Sequence, residues 1–136
     1  MTIGKAAAGV ATRRVLFIDD NPANVLLFER IVRQRSDLEA VSCATGRSGL
    51  QTLKSTPIDL VFLDVHLPDM SGTDVLAEIR DDTAAALTKV VMVTADLDVR
   101  ASDFSDDPFT SFFAKPMDVH RMLHLLETEL PADAAG

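Results

Sequence analysis

Five polar residues stand at the ends of short apolar runs, and their side chains could act together on a phosphoryl group. They comprise three carboxylates, a hydroxyl and an ammonium: Asp19, Asp20, Asp64, Thr94 and Lys115. Crowded carboxylates repel one another unless one is protonated or a cation is bound. Mg²⁺ takes carboxylate oxygens together with water and phosphoryl oxygens, and a carboxylate beside it can attack phosphorus. These residue types therefore predict Mg²⁺-dependent formation of an aspartyl phosphate.

The runs that precede these residues have the composition of buried strands. They are continuous, rich in β-branched or aromatic residues, and lack the polar alternation of a half-exposed strand, which favours a parallel sheet covered on both faces. The four clear runs are residues 15–18, 60–63, 90–93 and 112–114, and a weaker one is residues 40–44.

The segments between the runs have the apolar spacing of helices. Asn21 can cap a first helix with Pro22 at its first position, and further helices are predicted after Thr45, after Ser71-Gly72 and after Asp118. A fourth helix of five is predicted within residues 96–108, although that segment is rich in Asp. Strict alternation predicts an α/β fold, a doubly wound five-stranded parallel sheet with strand order 2-1-3-4-5.

The predicted sheet brings the polar residues to one edge, because the carboxyl ends of parallel strands lie together. Asp64 is central at that edge and is the predicted nucleophile. Lys115 would meet a phosphoryl oxygen as a point charge. The hydroxyl of Thr94 would donate a hydrogen bond to another phosphoryl oxygen.

Length and composition restrict the class of protein. The chain has 136 residues, typical of one domain, and its 13 basic against 21 acidic residues give a net charge of −8, which argues against binding to nucleic acid. No apolar run is long enough to span a membrane. A single cysteine, Cys43, excludes an internal disulfide and favours a reducing cytoplasm. We expect a domain at residues 13–130 between flexible tails at residues 1–12 and 131–136.

Four motifs resemble those of bacterial response regulator receiver domains. They are Leu-Phe-Ile-Asp-Asp-Asn-Pro at residues 16–22, Asp-Val-His-Leu-Pro-Asp-Met-Ser-Gly at 64–72, Thr-Ala at 94–95 and Phe-Phe-Ala-Lys-Pro at 112–116. Each is weak alone, but all four occur in order and at predicted strand ends. The resemblance implies the flavodoxin-like (βα)5 receiver fold and a single-domain response regulator.

The resemblance also assigns roles to individual residues. It implies that Asp64 accepts phosphate from a histidine kinase or a histidine phosphotransfer protein, and that Asp20, Asp64 and the main-chain carbonyl of His66 hold Mg²⁺, with Asp19 assisting through water. Thr94 and Phe112 are the implied switch pair. The peptide bond between Lys115 and Pro116 is implied to be cis.

The same resemblance implies a function without turnover of an external substrate. Such a domain catalyses only its own phosphoryl transfer and autodephosphorylation, and it signals by contact with a downstream protein target rather than with nucleic acid or a membrane. Phe112 lacks the hydroxyl of the Tyr often found at its position. Residues 109–111 replace a usual Gly-Ala, so we expect an unusual output face.

Two alternatives remain at this point. A haloacid-dehalogenase-like phosphatase also uses a strand-end Asp and Mg²⁺, but it needs Asp-x-Asp, and residue 21 is Asn. A pseudo-receiver would serve only as a docking module. His120 and His124 have the spacing of a metal pair on a helix, but without a third ligand they are interpreted as an exposed polar stripe.

Overall fold

Five parallel strands form one sheet in the order β2-β1-β3-β4-β5, which confirms the predicted order. The computed structural model describes residues 12–96, 98–104, 106–115 and 118–132. The strands are β1 (Arg13–Ile18), β2 (Leu38–Cys43), β3 (Leu60–Asp64), β4 (Lys89–Thr94) and β5 (Thr110–Ala114). The central strand β3 is buried along its whole length, as expected for a strand covered by helices on both faces.

In the described part of the chain, four α-helices connect or follow the strands, and each begins within one residue of its predicted start. They are α1 (Pro22–Val32), α2 (Gly46–Ser55), α3 (Gly72–Asp81) and α4 (Val119–Glu129). Side-chain oxygens of the four preceding residues accept backbone N–H groups of the first turns: Asn21, Thr45, Ser71 and Asp118. These caps satisfy donors that a helix start leaves without partners.

Alternate side chains of each strand enter two separate cores. Val15 and Phe17 of β1 lie in the core beneath α1 and α4, whereas Leu16 and Ile18 lie in the core beneath α2 and α3. In the first core Phe28 of α1 stacks on Phe17, with 4.7 Å between ring centroids. Burial on both faces anchors β1 and β3, the two strands whose ends carry the carboxylates.

The predicted fourth α-helix is wrong for the residues that the structure describes. Among the residues described between β4 and β5, the structure has a single 3₁₀ helix, Ala101–Phe104. Side-chain carboxylates accept backbone N–H groups nearby: Asp96 from Asp98, Asp103 from Arg100 and Asp107 from Phe109. Such local bonds compete with the helical hydrogen bonds of the backbone, and few apolar side chains in this segment could bury a helical face.

Two arginines lie at the amino-terminal ends of the strands, opposite the carboxylates. They connect the start of β1 and the loop before β2 to the residues at the end of α4. Arg35 and Arg13 both donate to the carboxylate of Asp37, at 2.5 and 3.0 Å from Oδ2. Arg35 also donates to the carbonyl of Leu130 at 2.6 Å, and Arg13 to that of Pro131 at 2.7 Å. We call Arg13, Arg35 and Asp37 the arginine clamp.

Two predictions fall largely outside the described residues. Residues 1–11 and 133–136 contain most of the two predicted tails, and Pro116, which carries the predicted cis peptide bond, is also not described. Among the described residues, no helix has both the length and the apolar character needed to cross a bilayer.

Candidate functional site

The ends of β1, β3, β4 and β5 bring the predicted site residues to one edge of the sheet. Asp64 and Thr94 are the last residues of β3 and β4, and Asp19 and Lys115 directly follow β1 and β5. Among the described residues, the only buried polar or charged residues are Asp19, Asp64 and Thr94. Burial of polar groups is costly without partners, so their concentration at one edge marks a functional site.

Lys115 is the cation that compensates two of these buried groups. Its Nζ donates to Asp64 Oδ2 at 2.9 Å and to Asp19 Oδ2 at 3.0 Å. Burial by itself would lower the pKa of Lys115, but the hydrogen bonds and negative charges of Asp64 and Asp19 outweigh it and raise that pKa above its ordinary 10.5. The ammonium is therefore fixed in its charged form beside the predicted nucleophile.

Asp19 and Asp20 are adjacent in sequence but differ in environment. The side chain of Asp19 is fully buried, and it accepts hydrogen bonds from the backbone of Asn21 at 2.9 Å and from Asn24 Nδ2 at 3.3 Å, besides Lys115. Asp20 is exposed. Asp20 therefore has the more accessible oxygens, whereas those of Asp19 are committed to protein donors.

The cluster of carboxylates has the donors and the charge that a divalent cation requires. One oxygen from each of Asp19, Asp20 and Asp64 lies within 4.8 Å of the others. Three carboxylates against the single ammonium of Lys115 leave two negative charges uncompensated within the cluster. Mg²⁺ binds to such oxygen donors and retains water in its remaining positions, so the residues present fit this ion.

The loop after β3 is held against the site by a glycine and an aspartate. A Cβ on Gly72 would lie 2.2 Å from the backbone oxygen of Asp64, so only glycine permits the start of α3 to approach β3 this closely. Asp69 accepts the backbone N–H groups of Gly46 and Arg47 at 2.8 and 2.9 Å, which lower the pKa of its carboxyl. The two contacts thereby fix the half of the loop that leads into α3.

His66 and Asp96 connect the loops after β3 and β4 in front of Asp64. The backbone N–H of His66 donates to Asp64 Oδ1 at 3.0 Å, and His66 Nε2 lies 2.7 Å from Asp96 Oδ2. The backbone N–H of Asp96 donates to Thr94 Oγ1 at 3.0 Å. Hydrogen bonds from the Asp98 backbone and from His66 lower the pKa of Asp96.

Phe112, the second member of the predicted switch pair, packs toward the 3₁₀ helix. Its ring stacks on that of Phe104, with centroids 6.3 Å apart and planes inclined by 21°. Met92 of β4 pairs with Phe112 in register, and the strand containing Met92 ends at Thr94. Phe112 therefore lies between β4 and the 3₁₀ helix, two residues before the register position of Thr94.

Of the seven predicted site residues, the structure brings six together at this edge, and Phe112 lies within β5. The sequence-based prediction does not include two partners of these residues, Asn24 and Asp96. Asn24 received no role, although a polar residue three positions after the cap Asn21 lies in the first turn of α1, next to the strand end. Asp96 lies in the Asp-rich segment for which the sequence predicts a helix, and that prediction gives it no role in the site. Its position two residues after Thr94, like that of His66 after Asp64, could have indicated that neighbouring strands bring the two side chains together.

Comparison with known families decides what kind of site this is. A sequence model of the response regulator receiver domain matches residues 15–127. The chain belongs to the response regulator receiver family. Receiver domains of this family belong to two-component signalling, and phosphorylation and Mg²⁺ binding are typical of them. The match favours the receiver interpretation over the haloacid-dehalogenase-like phosphatase.

Individual receivers resemble this chain over most of its length. The polar-differentiation response regulator DivK of Brucella ovis is 25% identical over 121 residues, which cover 88% of this chain and 97% of DivK. A CheY-like receiver structure from Methanospirillum hungatei is 26% identical, with a TM-score of 0.78 over 88% of this chain and 94% of the other.

A third receiver supports the fold alone. The receiver domain of the Pseudomonas aeruginosa sensor histidine kinase PA1611 has a TM-score of 0.75 at 20% identity, over 87% of this chain and 97% of that one. That structure contains a magnesium ion in its active site cleft.

Proposed function

We propose that this receiver accepts a phosphoryl group on Asp64 from the phosphohistidine of a histidine kinase or a histidine phosphotransfer protein. The observation that carries the proposal is the bridging of Asp19 and Asp64 by Lys115 within a cluster of three carboxylates. This arrangement supports the proposed roles of Asp64 as nucleophile, of Lys115 as a fixed positive charge and of the carboxylates as a cation site. The resemblance of the chain to other receivers supports the same assignment.

Phosphoryl transfer needs a defined role for each group. A carboxylate oxygen of Asp64 forms the new bond to phosphorus, while the bond from phosphorus to the donor imidazole nitrogen breaks and its electron pair returns to that nitrogen. Lys115 is positioned to contact a phosphoryl oxygen, because its Nζ already lies beside Asp64. Positioning and charge neutralisation account for most of the catalysis in reactions of this kind.

Asp20, Asp64 and the main-chain carbonyl of His66 would hold Mg²⁺, and Asp19 would assist through water. The exposure of Asp20 and the engagement of Asp19 with Lys115 and Asn24 support this division. Bound Mg²⁺ would neutralise charge that develops on the phosphoryl oxygens. The magnesium of the PA1611 receiver is consistent with this assignment.

Thr94 and Phe112 would transmit the phosphorylation state. In this structure the hydroxyl oxygen of Thr94 accepts a hydrogen bond from the backbone of Asp96. Donation to a phosphoryl oxygen would move Thr94 toward Asp64, and the ring of Phe112 would turn into the vacated space. Because Phe112 stacks on Phe104, its rotation would reach the 3₁₀ helix.

The wider function follows from these roles. We propose that the protein catalyses only its own phosphoryl transfer and autodephosphorylation, that it is cytoplasmic, and that its output is contact with a downstream protein. The net charge of −8 supports a protein target rather than nucleic acid.

Acetyl phosphate with Mg²⁺, followed by intact mass measurement, tests the phosphoacceptor. We expect one phosphoryl group on the wild type and none on Asp64→Asn, with Asp81→Asn, an exposed acidic residue of α3, behaving as wild type. Equal phosphorylation of the Asp64→Asn variant would show that the assignment is wrong. A wild type that stays unmodified in the presence of both reagents would favour the pseudo-receiver.

Thermal unfolding with and without Mg²⁺ tests the cation site separately. A ligand that binds only the folded state adds RT ln(1 + [L]/Kd) to stability, about 2.7 kcal/mol at a hundredfold excess over Kd. Asp20→Asn should abolish most of the Mg²⁺-induced rise in melting temperature, whereas Asp81→Asn should retain it. A full response in Asp20→Asn would remove Asp20 from the set of ligands.

A further inference from the structure

A groove runs along the face of the sheet that α2 and α3 cover. Two depressions of about 400 Å³ each share Leu53, Lys54 and Ala85, so they form one continuous groove. The first lies between the carboxyl-terminal parts of α2 and α3. The second continues over residues 55–58, which lead into β3, and over Ala84 and Thr88, which precede β4. We call it the α2–α3 groove, and it lies at the amino-terminal ends of the strands, away from the carboxylate cluster.

The floor of the α2–α3 groove is apolar and belongs to the core. Leu50, Ile79 and Ala85 are buried members of the core beneath α2 and α3, and all three also line the groove. Leu53 and Ile58 pack against the same core and are only half-buried. Apolar side chains that enter the groove from outside would therefore extend this core, and the burial of their surface would be favourable.

The rim of the α2–α3 groove is acidic, and its negative charges lie where a helix does not favour them. The groove is lined by three carboxylates and one ammonium: Glu78, Asp81, Asp82 and Lys54. The carboxylates occupy the last turn and the cap of α3, where the helix dipole is already negative. Arg80 is the base in that turn, but its guanidinium is bound to Asp107 and to the carbonyl of Thr88, each at 2.6 Å. The groove therefore attracts cationic groups.

Neighbouring bases compensate this rim only in part. Lys54 is exposed, and the guanidinium of Arg47 lies 3.5 Å from the carboxylate of Glu78, with both side chains about half exposed. Exposed pairs of this kind are weak. Asp81 is also exposed and is available to a cationic partner.

The charge and the walls of the groove select among classes of occupant. Nucleic acid or an anionic membrane would bring phosphates against the carboxylates of the rim. A second copy of this chain has the same net charge of −8, so its approach would bring like charges together. An extended segment would find few backbone partners along α2 and α3, because the groups of a helical backbone are paired within the helix. A helix needs no such partners.

We propose that the α2–α3 groove is the docking site for a basic amphipathic helix of a partner protein. Apolar side chains at helical spacing would cover Leu53, Ile79 and Ala85, and the Lys or Arg side chains that flank them would meet Asp81 and Asp82. Apolar anchors at this spacing are a general means by which a helix binds a groove. The inference does not depend on phosphorylation, so it is tested with the unphosphorylated protein.

A labelled helical peptide with leucine at the apolar positions and lysine at the others is the binding probe. One counter-probe has glutamate in place of lysine, and a second has alanine in place of leucine with the same number of lysines. We expect the leucine–lysine peptide to bind the wild type. Both counter-probes should bind roughly tenfold or more weakly, because one lacks the complementary charge and the other lacks the apolar anchors.

Substitutions of Asp81 test the rim. Asp81→Asn should weaken binding of the leucine–lysine peptide by roughly two- to fivefold, the range for one exposed ion pair. Asp81→Lys should weaken it by roughly tenfold, because the change also adds a repulsion. Glu127→Lys, the same reversal of charge at an exposed residue of α4, should leave binding unchanged. Both Asp81 variants should still be phosphorylated by acetyl phosphate, which distinguishes failure of this inference from failure of the proposed function.

Amide chemical shifts locate the bound peptide, and we expect the changes to cluster at Leu53, Ile79 and Ala85. Equal binding of the alanine–lysine peptide would show that charge alone acts, and equal binding of the glutamate peptide would show that charge has no role. Either result would overturn the proposal, as would absence of binding or shift changes confined to other elements. If Asp81→Lys unfolds, Asp81→Asn decides, and wild-type affinity in that variant would also overturn the proposal.

Discussion

Lys115 gives two buried carboxylates a single counter-ion. Replacement by methionine keeps most of the side-chain volume but leaves Asp19 and Asp64 without their cation, and an uncompensated buried charge costs about 3 kcal/mol. We therefore expect Lys115→Met to lower the free energy of unfolding in metal-free buffer. Added Mg²⁺ should restore more stability to the variant than it adds to the wild type, because the cluster then carries one more uncompensated negative charge.

Denaturant unfolding with and without Mg²⁺ measures both effects. Lys54→Met, at an exposed position of α2, is the matched control and should change neither quantity appreciably. Equal destabilisation of the two variants, or a smaller Mg²⁺ effect in Lys115→Met, would contradict this account of Lys115.

Replacement of Thr94 should leave binding of a phosphoryl group at the site intact but weaken the effect of that binding on Phe112 and Phe104. Its hydroxyl does not bond Asp64 in this structure but accepts from the backbone of Asp96, so Thr94→Ala should still bind beryllofluoride, a mimic of the phosphoryl group. We expect the amide chemical-shift changes at Phe112 and Phe104 to be much smaller than in the wild type. Thr73→Ala in α3 is the control, and changes of wild-type size in Thr94→Ala would refute the coupling.

At the scale of elements, Gly72 sets the distance between α3 and β3. A Cβ there meets backbone atoms of Asp64 and Val65 at 2.2 and 2.7 Å, and backbone cannot rotate away as a flexible side chain can. Gly72→Ala should destabilise the fold by about 2 kcal/mol, which is typical of overpacking. Because the displaced strand end carries Asp64, phosphorylation by acetyl phosphate should slow as well.

The neighbouring Thr73→Ala is the control for Gly72→Ala, since it also places alanine in the first turn of α3. Chemical denaturation gives the stability, and the rate of mass gain gives the phosphorylation. A Gly72→Ala variant as stable and as reactive as Thr73→Ala would show that α3 can shift without cost.

The elements also show which features were predictable from the sequence. Apolar runs and capping residues are local, so β1, β3 and β4 and the starts of α1 to α4 could be predicted from residues such as Asn21 and Thr45. The 3₁₀ helix could not be predicted in this way. The carboxylates of Asp103 and Asp107 accept hydrogen bonds from nearby backbone N–H groups, and these bonds replace those of a regular helix. The site residues were predicted from strand ends, but the bridging by Lys115 depends on distances that no local pattern contains.

At the scale of the whole molecule, the arginine clamp makes stability depend on pH. Hydrogen bonds from Arg35, together with Arg13, lower the pKa of Asp37 from its ordinary 3.8 to about 2. A carboxyl with a lowered folded pKa stabilises fully above its unfolded value and loses that contribution as the pH falls through the folded value. The contribution of the arginine clamp to the free energy of unfolding should thus be complete above about pH 4 and lost near pH 2.

Asp37→Asn tests this dependence. At neutral pH we expect a loss on the order of 2 kcal/mol, because each unit of pKa shift corresponds to about 1.4 kcal/mol. The difference from wild type should shrink between about pH 4 and pH 2, measured by denaturant unfolding at each pH. Asp81→Asn is the control with an exposed carboxyl, and a difference that stays constant across this range would exclude the clamp as its source.

The hydrogen bond from Arg13 to the carbonyl of Pro131 places the first strand and the end of the last helix within one side-chain length. A short linker could therefore join these two points with little loop-closure entropy. New chain ends could then be opened at residues 83–84, which are exposed between α3 and β4. In such a circular permutant the order of strands in space is kept while their order of synthesis changes, with β4 and β5 made first.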